Sequence, residues 1–392
     1  MNFVFINRLS LIMSFFLLLG VASVVHAEQT ITIGLNLSLS GGRKAAGISA
    51  RQGAELIKNQ INRQGGLKVG GIAYKVKYVY ADNESDPQKA VSTTLRLITQ
   101  ERVLGIIGLI DSSRAIPVGA ICEAFKTPMI SPLSTNIKTT LNRPYVFRAC
   151  FLDNFQGEVM ASIAVGELGA KKAAVLYNIA DAYPRGLAEY FKSAFEAKQG
   201  PGSVVAFENF LTSEKDLTAH LDRIIASKAD VLFVPQYDDQ VPAIVKQARA
   251  RGWTKDIMGG DAWDTTALME RCGDACKGLY FSSHFAAIGV KGKSREFVDQ
   301  YKAMTKSLPS ANGALGYDSA LLMLTAIGAL DSLSPDLLET RKAIKDKMAA
   351  IKGFKGVSGT LDMTAGGNPV KSAVVIKINK KGEFELFKTI NP

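Results

Sequence analysis

The sequence predicts an α/β protein of two lobes, each a parallel sheet with helices on both faces, and three observations lead there. Short runs rich in Val, Ile, Tyr and Phe alternate with longer segments whose apolar residues recur at spacings of three and four, the alternation expected of strand–helix–strand units. The chain has 392 residues, too many for one typical core. Its strands are also too numerous for one sheet, so two are needed.

The first 27 residues stand apart from this pattern. Arg8 precedes an uncharged apolar stretch from Leu9 to Val25 that contains Phe15, Phe16, Leu17, Leu18 and Leu19, and the stretch ends in Val25-His26-Ala27. This is the pattern of a secretory signal peptide with a small-residue cleavage site, and it predicts Glu28 as the first residue of an exported protein. No later stretch approaches the ~20 apolar residues of a membrane span. The expected location is the periplasm.

From Thr30 onward the expected strands are Ile31–Leu37, Val76–Tyr80, Val103–Gly108 and Met129–Ser131, followed by Ala173–Tyr177, Val204–Phe207, Val231–Pro235, Ile257–Gly259 and Leu279–Ser282. Between them Ala50–Ile61, Gln88–Gln100, Pro117–Phe125, Gln156–Glu167, Arg185–Lys198, Leu217–Ser227 and Val241–Arg251 carry the helical period. One series ends near Tyr145–Phe151 and a second opens at Gln156. Three helical segments then arrive without strands of their own, Arg295–Lys306, Ala314–Ala329 and Pro335–Ile351. They are explained if the chain returns to cover the first sheet, so the first lobe is expected to hold residues 28–147 plus 284–357. The second is expected to hold 148–283 plus 358–392, completed by Thr360–Met363, Ala373–Asn379 and Glu383–Lys388. Two discontinuous lobes joined by several crossings form a hinge, and a hinge around a cleft permits closure on a ligand.

The formal net charge is +11, with Arg8 the only charge among the first 27 residues. Export and the scattering of the lysines argue against nucleic acid, and the charge reads as a solvated surface. Cys272 and Cys276 flank Gly273-Asp274-Ala275 and are able to close a small loop, which would leave Cys122 and Cys150 as a second pair. Four cysteines allow three connectivities, and spacing does not choose among them. One C-x3-C and two His beyond the signal, neither near a second ligand at zinc spacing, give no metal site.

Two hydroxyl clusters carry the functional signal. Asp111-Ser112-Ser113 follows the apolar run Leu104–Gly108, and Ser131-Pro132-Leu133-Ser134-Thr135 follows Pro128-Met129-Ile130. Both fall in loops at the carboxyl ends of neighbouring strands, where a parallel sheet opens a crevice and helix N-termini point into it. Hydroxyls and free N–H groups there suit a small anion such as a carboxylate.

With these loops stand Ile31-Thr32-Ile33-Gly34, Leu39-Ser40-Gly41, Val146-Phe147-Arg148 with Gln156-Gly157, and Met258-Gly259-Gly260-Asp261. In this order the motifs resemble, over essentially the whole exported chain, the extracytoplasmic solute-binding proteins of ABC transporters, in particular the group that includes the leucine/isoleucine/valine receptors. The resemblance implies the type I periplasmic binding protein fold, two Rossmann-like lobes joined by a three-crossing hinge. It implies a monomeric receptor that delivers a small amino acid to a membrane permease, with no cofactor. Carried over by position, Ser112 and Thr135, with Ser134 beside them, would hold the ligand's carboxylate. The Leu133 carbonyl and Asp261 would receive its ammonium, and Tyr183 and Tyr237 would close over it. A buried zwitterion needs matched hydrogen bonds at each end, which is why hydroxyls and an acid at separate places are required. Ala46 and Leu315 stand where branched-chain receptors often carry aromatics, Asp261 replaces a longer Glu, and Trp263 lies two residues on. The ligand's side chain is therefore open, and an amide, a short carboxylate or an aromatic acid is the alternative to an amino acid.

An exported hydrolase is the competing class. No G-x-S-x-G elbow is present, and His220, in a polar helical segment, and His284, after a strand, read as a solvated and a hinge residue. No nucleotide-binding glycine fingerprint is present.

Overall fold

Residues 29–392 are described in the computed structural model of the chain, so the predicted signal peptide lies outside them. The first sheet holds β1 (Thr30–Leu37), β2 (Leu67–Val69), β3 (Ile72–Asp82), β4 (Ile106–Gly108), β5 (Met129–Ser131) and β6 (Val146–Arg148), in the order β2-β3-β1-β4-β5-β6. Every pairing is parallel except the β2–β3 hairpin. Three helices connect these strands: α1 (Lys44–Arg63), α2 (Pro87–Thr99) and α3 (Ser112–Ala124). Local chemistry sets the start of α2, where Asp86 accepts a bond from the Lys89 N–H at 2.7 Å and Pro87 occupies the first turn.

After β6 the chain crosses to the second lobe. There α4 (Asp153–Gly166), β7 (Ala173–Asn178), α5 (Ala182–Gln199), β8 (Val204–Phe210), α6 (Thr218–Ala226), β9 (Val231–Val234), α7 (Val241–Ala250), β10 (Asp256–Gly259), α8 (Thr266–Cys272) and β11 (Tyr280–Ser283) alternate. It then returns with α9 (Gly292–Thr305), α10 (Ala311–Gly328) and α11 (Leu337–Ala349), whose apolar residues Phe297, Leu315, Leu322 and Ile344 join Ile33, Leu35 and Ile130 in one core. Helix α10 is apolar on nearly every face because it is buried on nearly every side. It lies so close to α1 that a Cβ at Gly53 would stand 1.9 Å from the Gly313 carbonyl oxygen.

Three short strands follow, β12 (Phe354–Lys355), β13 (Thr360–Met363) and β14 (Pro369–Val370), in a small sheet of their own. Leu361 and Met363 of β13 are buried in the first lobe's core, so this segment, which the sequence grouped with the second lobe, packs on the first. The third crossing comes at Lys371-Ser372. Beyond it β15 (Ala373–Ile378) and β16 (Phe384–Ile390) pair antiparallel and complete the second sheet, β16-β15-β11-β10-β9-β7-β8.

Two expectations need correction. Cys272 and Cys276 are joined, but Cys122 and Cys150 are free and buried. Cys122 on α3 belongs to one apolar cluster and Cys150, just past β6, to another, so the first sheet's packing keeps them apart. Helix α3 begins at Ser112, not near Pro117, because Asp111 takes the extended cap conformation and its carbonyl accepts the Ala115 N–H at 2.9 Å. Ser112 is thereby the first helical residue.

Candidate ligand-binding cleft

Loops at the carboxyl ends of strands from both sheets meet in one cleft. On the first lobe Ser112 is fully buried, and its Oγ accepts bonds from Ser134 Oγ at 3.0 Å and the Asn136 N–H at 3.4 Å. Its own proton is then free to donate. Ser134 Oγ also meets Thr139 Oγ1 at 2.6 Å, so it lies behind Ser112 as a support. Thr135 Oγ1 is buried beside the Asp153 carboxyl, and neither group has another hydrogen-bond partner. Ser112 is also the first residue of α3, at the helix end whose dipole favours negative charge.

On the second lobe Asp261 opens a short turn after β10 and is buried. Its Oδ1 accepts bonds from Gln156 Nε2 at 2.6 Å and the Tyr183 hydroxyl at 2.9 Å, and its Oδ2 lies 3.0 Å from His284 Nε2. Gly260 makes this possible, since a Cβ there would stand 2.3 Å from the Tyr183 hydroxyl. Burial holds the His284 pKa below its ordinary value although Asp261 pulls it upward, so a neutral imidazole donates from Nε2. Asp261 therefore has three donors and none of them is a permanent cation. A carboxylate so placed favours a positive guest.

Charged side chains line the space between. Arg43, in the loop after β1, bonds Asp111 through Nε at 2.9 Å and Asp238 of the second lobe through Nη1, while Arg114 Nη2 takes the other Asp111 oxygen. Burial works against ionised Asp111, but Arg114 and Arg43 hold its carboxyl below the usual range. The Arg43 guanidinium carbon sits 4.5 Å from the centre of the Tyr237 ring, which stacks on Tyr183 with centroids 5.2 Å apart. Further bonds span the lobes, from Asn136 Nδ2 to the Ala182 carbonyl at 3.0 Å and from Asn312 Nδ2 to the Asp264 carbonyl at 2.7 Å.

The cavity between these groups is small, about 10 Å³ for the centre of a water, room for one molecule. Of the residues singled out in the sequence, Ser112, Leu133, Tyr183, Tyr237 and Asp261 border it; Ser134 and Thr135 are buried but do not. Ala46 and Leu315 lie in the first lobe's core and Trp263 in the second's, so none of the three forms a pocket wall. Arg43 and Asn312, which border the cavity, went unnoticed in the sequence. The signal for Arg43 was its place after Gly41-Gly42 at the carboxyl end of β1, the same topological position as the two hydroxyl loops.

Two α/β lobes with buried polar groups converging from both define a hinged receptor for a small solute. The chain belongs to the periplasmic binding protein family, whose model matches residues 30–383. It is similar to a leucine-binding protein from Thermotoga maritima, with a TM-score of 0.85 and 30% identity over 93% of this chain and 99% of that one. It is also similar to a branched-chain amino acid transporter substrate-binding protein from Streptococcus pneumoniae solved in complex with isoleucine, with a TM-score of 0.84 and 31% identity over 93% of this chain and 100% of that one. A Leu/Ile/Val-binding protein homolog of Brucella melitensis is 28% identical over 68% of this chain and 70% of its own length. No described helix is long and apolar enough to cross a membrane.

Proposed function

We propose that this chain is the extracytoplasmic receptor of an ABC transporter and that its cleft closes on a small amino acid. The observation that carries the reading is Asp261, a buried carboxylate with only neutral donors, bordering the same cavity as Ser112. The ligand's ammonium bonds Asp261 and the Leu133 carbonyl. Its carboxylate accepts a bond from the Ser112 hydroxyl, with Ser134 fixing Ser112 in place, and takes the Thr135 hydroxyl as a second donor once the cleft has widened to admit the ligand. Tyr183 and Tyr237 close from the second lobe, and their contacts bias the hinge because a ligand shifts a balance only by its differential affinity.

The signal peptide is removed after Ala27, and the exported monomer hands its ligand to a permease without changing it chemically. His220 is bonded to Glu208 and Glu214 at 2.9 Å each, does not border the cavity and takes no part. Micromolar binding needs about −8 kcal/mol, which a few charge-assisted hydrogen bonds and a buried side chain supply.

A thermal-shift screen with amino acids, amides, short carboxylates and aromatic acids tests this. A true ligand at 100 times its Kd adds about 2.7 kcal/mol of apparent stability. Stabilisation by an aromatic acid or amide but by no amino acid would overturn the reading, and turnover of the bound compound would overturn the receptor class.

A further inference from the structure

We infer that Arg43 is a specificity-determining residue, and that the guest's side chain is small, neutral and hydrogen-bonding, as in serine or threonine, not branched and aliphatic. The inference rests on the amino-acid reading above and goes beyond it. Once Ser112, Leu133 and Asp261 are assigned to the α-groups, the side chain is left with Arg43, Ile110, Asp111, the stacked Tyr183 and Tyr237, Ala262 and Asn312. That wall holds a guanidinium, a carboxylate, two phenols and a carboxamide against two apolar groups.

Arg43 cannot easily step aside. It is 6% exposed and paired with Asp111 and Asp238, themselves 2% and 1% exposed. Room for an isobutyl group would have to come from its side chain, and withdrawing the guanidinium would leave buried Asp238 with only the Thr265 hydroxyl and Asp111 with Arg114 alone. Ala46 and Leu315, which stand where branched-chain receptors often carry aromatics, are sealed in the core and offer no alternative space.

Charge balance excludes an anionic side chain. Arg43 and Arg114 face Asp111 and Asp238, with Asp239 also acting on Arg43 and Asp181 on Arg114, and Asp238 is further bonded by Thr265 Oγ1 at 2.7 Å. A guest carboxylate would enter an acidic set whose guanidinium groups are already engaged, and burying it unpaired is unfavourable. A lysine side chain is longer than the isobutyl group for which Arg43 already leaves no room. A hydroxyl can exchange bonds with the phenol and carboxamide of the wall and disturbs neither ion pair.

Titration calorimetry of the full chain with serine, threonine, leucine, glutamate and lysine tests the inference. Serine or threonine is expected to bind at least about tenfold more tightly than leucine, in line with what pocket contacts discriminate, and the charged amino acids more weakly still. Arg43→Ala should shift the serine-to-leucine ratio about tenfold toward leucine. If that variant does not fold, Asp238→Asn, which frees the guanidinium from one side, should move the ratio in the same direction. A wild-type preference for leucine overturns the inference and leaves the amino-acid reading intact, whereas a wild-type chain that binds no amino acid overturns both. An unchanged ratio in a folded Arg43→Ala or Asp238→Asn variant removes Arg43 as the determinant.

Discussion

The guanidinium of Arg43 joins the two lobes directly, holding Asp111 of its own lobe through Nε at 2.9 Å and Asp238 of the opposite lobe through Nη1. Both carboxylates are buried, so water does not screen the pairs as it does at the surface. The closed arrangement therefore depends on a charge contact that no ligand supplies. Asp238→Asn removes one member of it, and breaking a buried pair costs about 3–5 kcal/mol. The ligand-free variant should be more open, seen as a larger radius of gyration in small-angle scattering. An unchanged radius would mean that the lobes are held by the remaining bonds, such as Asn136 to Ala182.

Asp261 should matter for binding more than for folding. Its three donors are neutral, so Asp261→Asn keeps most of the local geometry while deleting the charge that faces the ammonium. Losing one partner of a buried charge pair costs about 2–5 kcal/mol, so affinity should fall by at least an order of magnitude. Calorimetry on the variant decides it, and an affinity within twofold of the parent chain would remove Asp261 from the site.

Ser112→Ala combined with Thr135→Ala should abolish carboxylate recognition. Thr135 Oγ1 has no partner beyond the Asp153 carboxyl beside it, whereas Ser112 Oγ accepts bonds from Ser134 Oγ and the Asn136 N–H, so the double change leaves those two donors unpaired. The double variant should lose stability on the order of 1–3 kcal/mol in unfolding curves, while amino-acid binding disappears from the folded protein. Retained binding would refute the carboxylate assignment.

The hydroxyl loops were legible because they sit at strand ends with short, regular βα spacing, a one-dimensional pattern that maps directly onto the crevice of a parallel sheet. Asp261 and the two tyrosines were legible for the same reason, each following a strand of the second series. Arg43 was not, because an arginine after a glycine pair has the same local sequence whether it is solvated or clamped between lobes. Its two carboxylate partners lie 68 and 195 residues away. Strand β13 was assigned to the wrong lobe for a related reason: an alternating strand such as Thr360–Met363 shows that one face is buried but not against which core. Ala46 and Leu315 misled in the opposite way, since they were judged by position in a resembling family while their helices, α1 and α10, pack against each other.

Cys122 and Cys150 should be silent in the native protein. Both are fully buried and free, and burial pushes each thiol up to about 12, so the reactive thiolate is scarce at neutral pH. A thiol-specific chromogenic reagent should find no fast-reacting group before denaturation and two afterward. Reducing the Cys272–Cys276 bond should lower the melting temperature only slightly, because it closes a loop with a sequence separation of 4. Rapid native labelling of either buried thiol would show that the lobe opens more readily than its packing implies.

The pH dependence of stability should carry the mark of Asp153. Burial, with Asp261 nearby, pushes its carboxyl up to about 7, and burial pushes Asp264 up to about 6. An unfolded Asp titrates near 3.9, so between roughly pH 4 and pH 7 the folded chain holds protons that the unfolded chain has released. The contribution of these groups is therefore stabilising at low pH, falls as pH rises through that window, and is level above it. Asp153 has no hydrogen-bond partner beyond the Thr135 hydroxyl beside it, which the Asn carbonyl oxygen can keep, so Asp153→Asn removes a buried charge at little cost in contacts. The variant should match the parent chain near pH 4 and exceed it at pH 8 by on the order of 2 kcal/mol in urea unfolding, given that one unit of pKa shift is worth about 1.4 kcal/mol. Parallel stability profiles for the two proteins from pH 4 to pH 8 would show that Asp153 is ionised across the range, and that water or a neighbouring group satisfies it in the fold.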